Sequence, residues 1–198
     1  MPVPLTATDF DRLIARETAR MSWPSRMGGI IRSKGKQKVE EGFQRIGIRM
    51  FPRMRNIRQQ RKFNELHREM TKIIARSLSG CLHEGYQSPT TVARKLVNTF
   101  CHQLVKYPDF LHLRPFLHLP VDRQIITALT RVSRQVFERP MAEEVVEVLR
   151  NLSPYQMRWK KYEEFCRIAN ECRESLNRRH GAERQIEHVI DLNILWAM

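Results

Sequence analysis

The stretch RMFPRMRNIRQQRKFNELHREMTKIIARSL, residues 49–78, decides the fold class of this chain. Placed at about 100° per residue, Phe63, Leu66, Met70, Ile73, Ile74 and Ser77 fall in one stripe, and Arg58, Arg61, Arg68, Lys72 and Arg76 lie opposite it. That contrast marks an amphipathic helix, expected from Arg53 to about Leu78. After Phe63 its cations have acids at helical contact distance, Glu65 for Arg61 and Arg68, and Glu69 for Lys72. Before it, residues 49–63 hold six cations (Arg49, Arg53, Arg55, Arg58, Arg61, Lys62) and no acid. Met54 and Ile57 fall off the apolar stripe, so the start of this helix is expected to leave the domain that its later part packs against.

Working outward, the remaining periodic segments are helical too. Thr8 and an acidic first turn precede Phe10, Leu13, Ile14 and Met21, a short helix ending near Ser22 ahead of Pro24 and Gly28-Gly29. Residues 24–38 show no period and read as an extended arm; Val39, Phe43 and Ile46 allow a short helix that stops before Pro52. Ser88-Pro89 has the N-cap and N1 chemistry of a helix start, with Val92, Leu96, Val97, Phe100, Cys101, Leu104 and Val105 on the buried side. FLHLRPFLHLP (110–120) reads as an apolar connection, because its prolines forbid a long helix. Further helices are expected after Asp122, at Pro140, after Ser153-Pro154 and over about 183–196. Nothing alternates with period two, so the fold class is all-α, a helical bundle or short helical-hairpin array with an irregular basic N-terminal arm. The division expected is an arm at 1–62 and an all-helical domain at 63–198.

Charge gives the arm its meaning. The 198 residues carry 35 Lys+Arg against 21 Asp+Glu, a net of +14, and residues 20–62 alone hold 13 cations against Glu40 and Glu41, a net of +11. Eleven uncompensated charges in one segment repel one another unless an anionic counter-surface meets them. The residues expected to bind nucleic acid are Arg26, Arg32, Lys34, Lys36, Lys38, Arg45, Arg49, Arg53, Arg55, Arg58, Arg61 and Lys62. Arginine offers paired donors to phosphate, glycines let a chain thread between backbones, and Phe43, Phe51, Met54 and Ile57 can stack or wedge. Duplex DNA read by sequence is excluded as a leading idea, since no helix-turn-helix, zinc-finger or zipper pattern is present. Structured RNA, recognised by shape and backbone, fits best. MRWKKY (157–162) adds aromatics among cations, though Tyr162 falls on an apolar stripe.

Catalytic chemistry is not expected. Neither a nucleophile elbow nor a glycine-rich phosphate loop occurs, and Cys101-His102 places the thiol on the apolar side of its helix. Cys81, His83, His112 and His118 match no zinc spacing, and Glu143, Glu144 and Glu147 suit the first turns of a helix. No cofactor and no metal is expected. Four cysteines without paired spacing suit a reducing compartment or the mitochondrial matrix. TDFDRLIARETARM (8–21) has the arginine spacing of a mitochondrial presequence, against which Asp9, Asp11 and Glu17 argue. No apolar run is long enough to span a membrane, and no secretory signal is expected.

A small helical domain with a cationic arm resembles the build of ribosomal proteins, above all organelle-ribosome proteins whose arms thread through ribosomal RNA. That resemblance implies a non-catalytic structural component of a ribonucleoprotein, most plausibly a mitochondrial ribosome. Its arm would lie on ribosomal RNA and its helices on neighbouring proteins, in the mitochondrial matrix or else the cytoplasm. Two alternatives carry the same charge: a helical viral nucleocapsid or matrix-type protein, and an accessory subunit of a mitochondrial respiratory complex.

Overall fold

A computed structural model describes residues 6–23, 25–84, 88–119, 121, 123–152, 159–180, 186, 188 and 192, with backbone alone for Ser25, Arg26, Trp159 and His180. Every regular element among them is helical, and the one β-bridge pairs Ile31 with Leu82. The fold class is therefore all-α. The chain forms two compact units, residues 1–116 and 117–198.

In the first unit α1 (Ala7–Met21) begins with a capping box, Thr6 accepting from the Asp9 amide and the Asp9 carboxylate accepting from the Thr6 amide. Its buried side is Ile14, Ala15, Thr18, Ala19 and Asp11, while Phe10, Leu13 and Met21 stay 54 %, 41 % and 50 % exposed. This differs from the expected apolar face, and Gly47 explains why. A Cβ there would lie 2.7 Å from the Ala15 Cβ and 2.7 Å from the Asp11 carbonyl oxygen, so the two helices meet through their smallest residues.

The second element, α2 (Ser33–Met54), overturns the expectation of an irregular arm. Val39, Phe43, Ile46, Met50 and Met54 recur at helical spacing and are all buried. Pro52 sits in the last turn rather than ending the helix before it. Burial of Phe51 and Met54, both 0 % exposed, offsets the hydrogen bond that the proline forfeits. Nor do the glycines serve a threading chain: Gly42 has room for no Cβ beside Ser77 Oγ (2.8 Å) and Ile74 Cδ1 (3.0 Å), and Gly35 none beside Ile31 and Cys81.

The expected continuous helix from Arg53 to Leu78 is broken. Residues 55–59 form a turn, and α3 (Gln60–Ser77) runs back antiparallel to α2, placing Ser77 beside Gly42 and Glu69 beside Arg53. Two side chains close the end of α2: Asn56 Nδ2 donates to the Pro52 carbonyl (2.9 Å), and Arg58 Nη1 donates to the carbonyls of Arg55 (3.0 Å) and Ile57 (2.7 Å). Met54 and Ile57, expected to turn away, are 0 % and 4 % exposed, because the break gives Met54 to the stripe of α2. The stripe of α3 holds except for the half-buried Ile73: Phe63, Leu66, Met70, Ile74 and Ser77 are buried, with His67 and Thr71 added.

Next, α4 (Pro89–Leu104) starts as expected, Ser88 Oγ accepting from the Thr91 amide with Pro89 in the first turn. A 3-10 segment, Pro108–Phe116, lays Phe110 and Leu113 into the core. The centre of this unit is aromatic: Phe43 and Phe100 stack at 4.3 Å between centroids, and Phe51 lies 4.7 Å from Phe110.

The second unit holds α5 (Arg123–Val136), α6 (Arg139–Arg150) and α7 (Trp159–His180). Ile125, Leu129, Val132 and Val136 pack with Val145, Leu149, Tyr162, Phe165, Ile168 and Cys172. The expected Asp122 cap, the Ser153-Pro154 start and most of 183–196 lie outside the described residues. The unit boundary at 116/117, rather than 62/63, follows from α2 sharing its core with α1, α3 and α4.

Candidate nucleic-acid interface

The twelve cations singled out in the sequence divide into those bound up in the fold and those left on its surface. Arg55 is structural. Its guanidinium grips Asp11 with two bonds (2.6 and 3.1 Å), reaches Asp109 with Nε (3.2 Å) and lies 5.2 Å from the centre of the Phe110 ring. Asp11 is buried, and the hydrogen bond to it, partly countered by burial, holds Arg55 above the ordinary arginine pKa. Arg53 bonds Glu69 on α3 at 2.7 and 3.2 Å, which draws the Glu69 carboxyl below its usual range. Arg61 and Lys62 share Glu65, at 3.2 and 3.3 Å. Arg53, Arg55, Arg61 and Lys62 therefore have carboxylate partners, and Arg58 is tied to backbone carbonyls. The expectation that nothing neutralises this run fails because Glu65 reaches back one turn to Arg61 and Lys62, and because Glu69, Asp11 and Asp109 come from distant positions that only the fold brings near.

Another set remains. Lys34, Lys38, Arg45 and Arg49 lie within about 60° of one another on the outer face of α2 and all are exposed. None of them forms an ion pair among the described residues; Arg45 donates to Ser77 Oγ at 3.1 Å. Arg32, just before α2, is exposed and likewise without an ion pair there. Glu41 shares this face and accepts from Gln37 at 3.1 Å. Because α3 runs antiparallel alongside, its exposed Lys72 and Arg76 flank the Arg45 end of the row. Their phasing opposite the stripe of α3 was visible in the sequence, but what brings them to the α2 row is the turn at 55–59.

The remaining candidates stand apart. Lys36 lies 5.6 Å over the ring of the half-buried Trp23, and Arg26 has no described side chain. Phe43 and Phe51, expected to stack on bases, are 1 % and 0 % exposed and belong to the core. In MRWKKY, Tyr162 is buried with its ring 5.4 Å from His118, and the side chain of Trp159 lies outside the described residues.

Elsewhere, burial pushes the Cys101 thiol up to about 12 and Cys172 up to about 11, so neither offers a thiolate near neutral pH. Among the described residues no group of three His, Cys, Asp or Glu side chains is placed to hold a metal ion. His112 Nε2 instead meets the Met54 carbonyl at 3.1 Å. An open cleft of about 670 Å³ in the second unit is lined by Arg134, Phe137, Glu143, Val146, Glu147 and Arg150 among others, with Glu143 tied to Arg139 at 3.2 Å. No helix among the described residues is long and apolar enough to cross a membrane. Comparison with protein-family models, with curated proteins and with solved structures finds no match.

Proposed function

We propose that this protein is a non-catalytic component of a ribonucleoprotein that grips the phosphate backbone of RNA through the outer face of α2 and α3. The observation that carries this is the row Lys34, Lys38, Arg45 and Arg49, exposed and without ion pairs among the described residues, on a helix whose other side is locked into the core. Four cations held on a fixed surface that offers one acid, Glu41, leave an excess whose natural complement is a ligand of opposite sign. Phosphate is the anion whose spacing along a chain can meet a whole row. The exposed Phe10, Leu13 and Met21 on α1 suit the same setting, an assembly in which neighbouring proteins cover apolar surface. A ribosome, of mitochondria or otherwise, is the assembly this reading has in view.

The test is RNA binding by the full chain as a function of salt. With Lys34, Lys38, Arg45, Arg49, Lys72 and Arg76 on phosphates, affinity should fall roughly a thousandfold between about 50 and 200 mM salt. Replacing Lys34, Lys38 and Arg49 together by Ala should flatten the logarithmic salt slope by about 2 to 3. Replacing Arg123, Arg131 and Arg150 of the second unit should leave it unchanged. Salt-insensitive binding, or equal losses from both triple variants, would sink the proposal.

A further inference from the structure

Resting on that reading, we infer that the α2/α3 face takes base-paired RNA, held by its backbone without regard to sequence, in preference to single strands. Two independent features point there. First, the face is rigid and long. Lys34 to Arg49 spans about 22 Å of helix, and the α3 axis, with Lys72 and Arg76, runs antiparallel at roughly 8–10 Å. The two helices are pinned by the Arg53–Glu69 pair and by the Gly42 contact with Ser77. Such a surface cannot wrap a flexible strand, whereas a double helix arrives with its phosphates already fixed and at twice the density. Each bound cation then releases counterions without the cost of ordering the ligand.

Second, the face has no stacking platform. Proteins that hold unpaired strands use exposed rings, each stacked base being worth about 1–3 kcal/mol. Among the described residues no aromatic lies on the exposed side of α2 or α3: Phe43, Phe51 and Phe63 are buried, and Trp23 is half-buried with Lys36 over it. Beside the row the exposed side of α2 carries Ser33, Gln37, Pro52 and the acid Glu41, none of them aromatic. Paired bases, stacked on one another already, ask nothing of the protein here.

The experiment measures binding of the full chain, at about 0.15 M salt, to a duplex RNA of roughly 20 base pairs, to a duplex of scrambled sequence and to one unpaired strand without self-complementarity. The two duplexes should bind alike. The single strand should bind roughly tenfold more weakly, since about six contacts each release fewer counterions from its less dense charge. Lys34→Glu, Lys38→Glu and Arg49→Glu together should abolish duplex binding. If the single strand binds as tightly or more tightly, if the duplexes differ by tenfold or more, or if duplex binding survives the triple variant, the inference falls. A single-strand preference would leave the proposed RNA function standing, and failure of every RNA to bind would overturn both.

Discussion

The two units of this chain solve the same problem, packing α-helices, with different materials. Residues 1–116 carry 22 Lys+Arg against 9 Asp+Glu, a net of +13, whereas residues 117–198 carry 13 against 12, a net of +1. The basic unit has a core of Phe43, Phe51, Phe63, Phe100 and Phe110 with Met27, Met50, Met54 and Met70, and brings its helices close at Gly42 and Gly47. Its ion pairs Arg53–Glu69 and Arg55–Asp11 join different elements. The near-neutral unit packs mostly Leu, Ile and Val around two rings, Tyr162 and Phe165, and its pairs Arg139–Glu143 and Arg167–Glu171 stay within one helix turn. The lesson is that the unit with the repulsive exterior adds ion pairs between elements and stacked phenylalanines to its local pairs.

The largest blow to this contrast should come from Phe100→Ala, which removes the ring stacked on Phe43 and should cost roughly 3–5 kcal/mol. Amide hydrogen exchange should lose protection across residues 7–116 and keep it in α5 to α7. Equal loss in both units would mean that they unfold as one, and the comparison would have no thermodynamic content.

Acid sharpens it next. His67 is buried with Nε2 2.6 Å from Asn98 Oδ1, and burial, aided by the charges of Arg94 and Arg68, pushes its pKa down to about 4 although the Asn98 bond opposes this. The unfolded chain therefore takes up the proton first, near its ordinary 6.5. This group's share of stability is intact above that pH and lost as pH falls toward 4, amounting to about 3 kcal/mol by then. Urea unfolding followed at pH 7 and pH 4.5 should show the loss, and His67→Gln should flatten it. A slope unchanged by the substitution would place the acid sensitivity elsewhere.

Gly47→Ala tests the close approach itself. Alanine would gain about 1 kcal/mol in helix propensity over glycine, but its Cβ would meet the Asp11 carbonyl oxygen and the Ala15 Cβ at 2.7 Å. One of these neighbours is backbone, so the clash should win and the melting temperature should fall by an amount worth about 1–3 kcal/mol. A stabilised variant would show that α1 can shift away at no cost. The smallest effect should follow Lys34→Ala with Lys38→Ala and Arg49→Ala, whose stability should stay within about 0.5 kcal/mol of the parent in thermal melts. A clear gain would instead show how strongly the row repels itself.

Much of the fold was legible where side-chain chemistry is local. The start at Ser88-Pro89, the acidic first turn of α1 and the stripe of α3 are each set by residues within a few positions of one another. What escaped is the arm that is a helix. Gly35, Gly42 and Gly47 look like breaks in a linear reading, because the reason for a missing side chain is the neighbour it makes room for. Pro52 and the cations of α2 reinforced the same impression. The candidate site was legible as a charge excess, not as a surface. Glu65 within a helix turn marks Arg61 and Lys62 as paired, but Arg53, Arg55 and Arg58 are indistinguishable in sequence from Lys34, Lys38 and Arg49, and only the chain reversal at 55–59 shows that they are spoken for.

The clasp around Arg55 has a temporal side. It joins Asp11 near the start of the first unit to Asp109 near its end, with the rings of Phe51 and Phe110 meeting beside it. During synthesis the N-terminal helices therefore emerge with their buried Asp11 and aromatic faces in hand but without the segment that closes over them. Until residues 108–116 have left the ribosome, Arg55 lacks Asp109 and the Phe51 ring lacks Phe110, so the complete clasp can close only after nearly all of the first unit has been made.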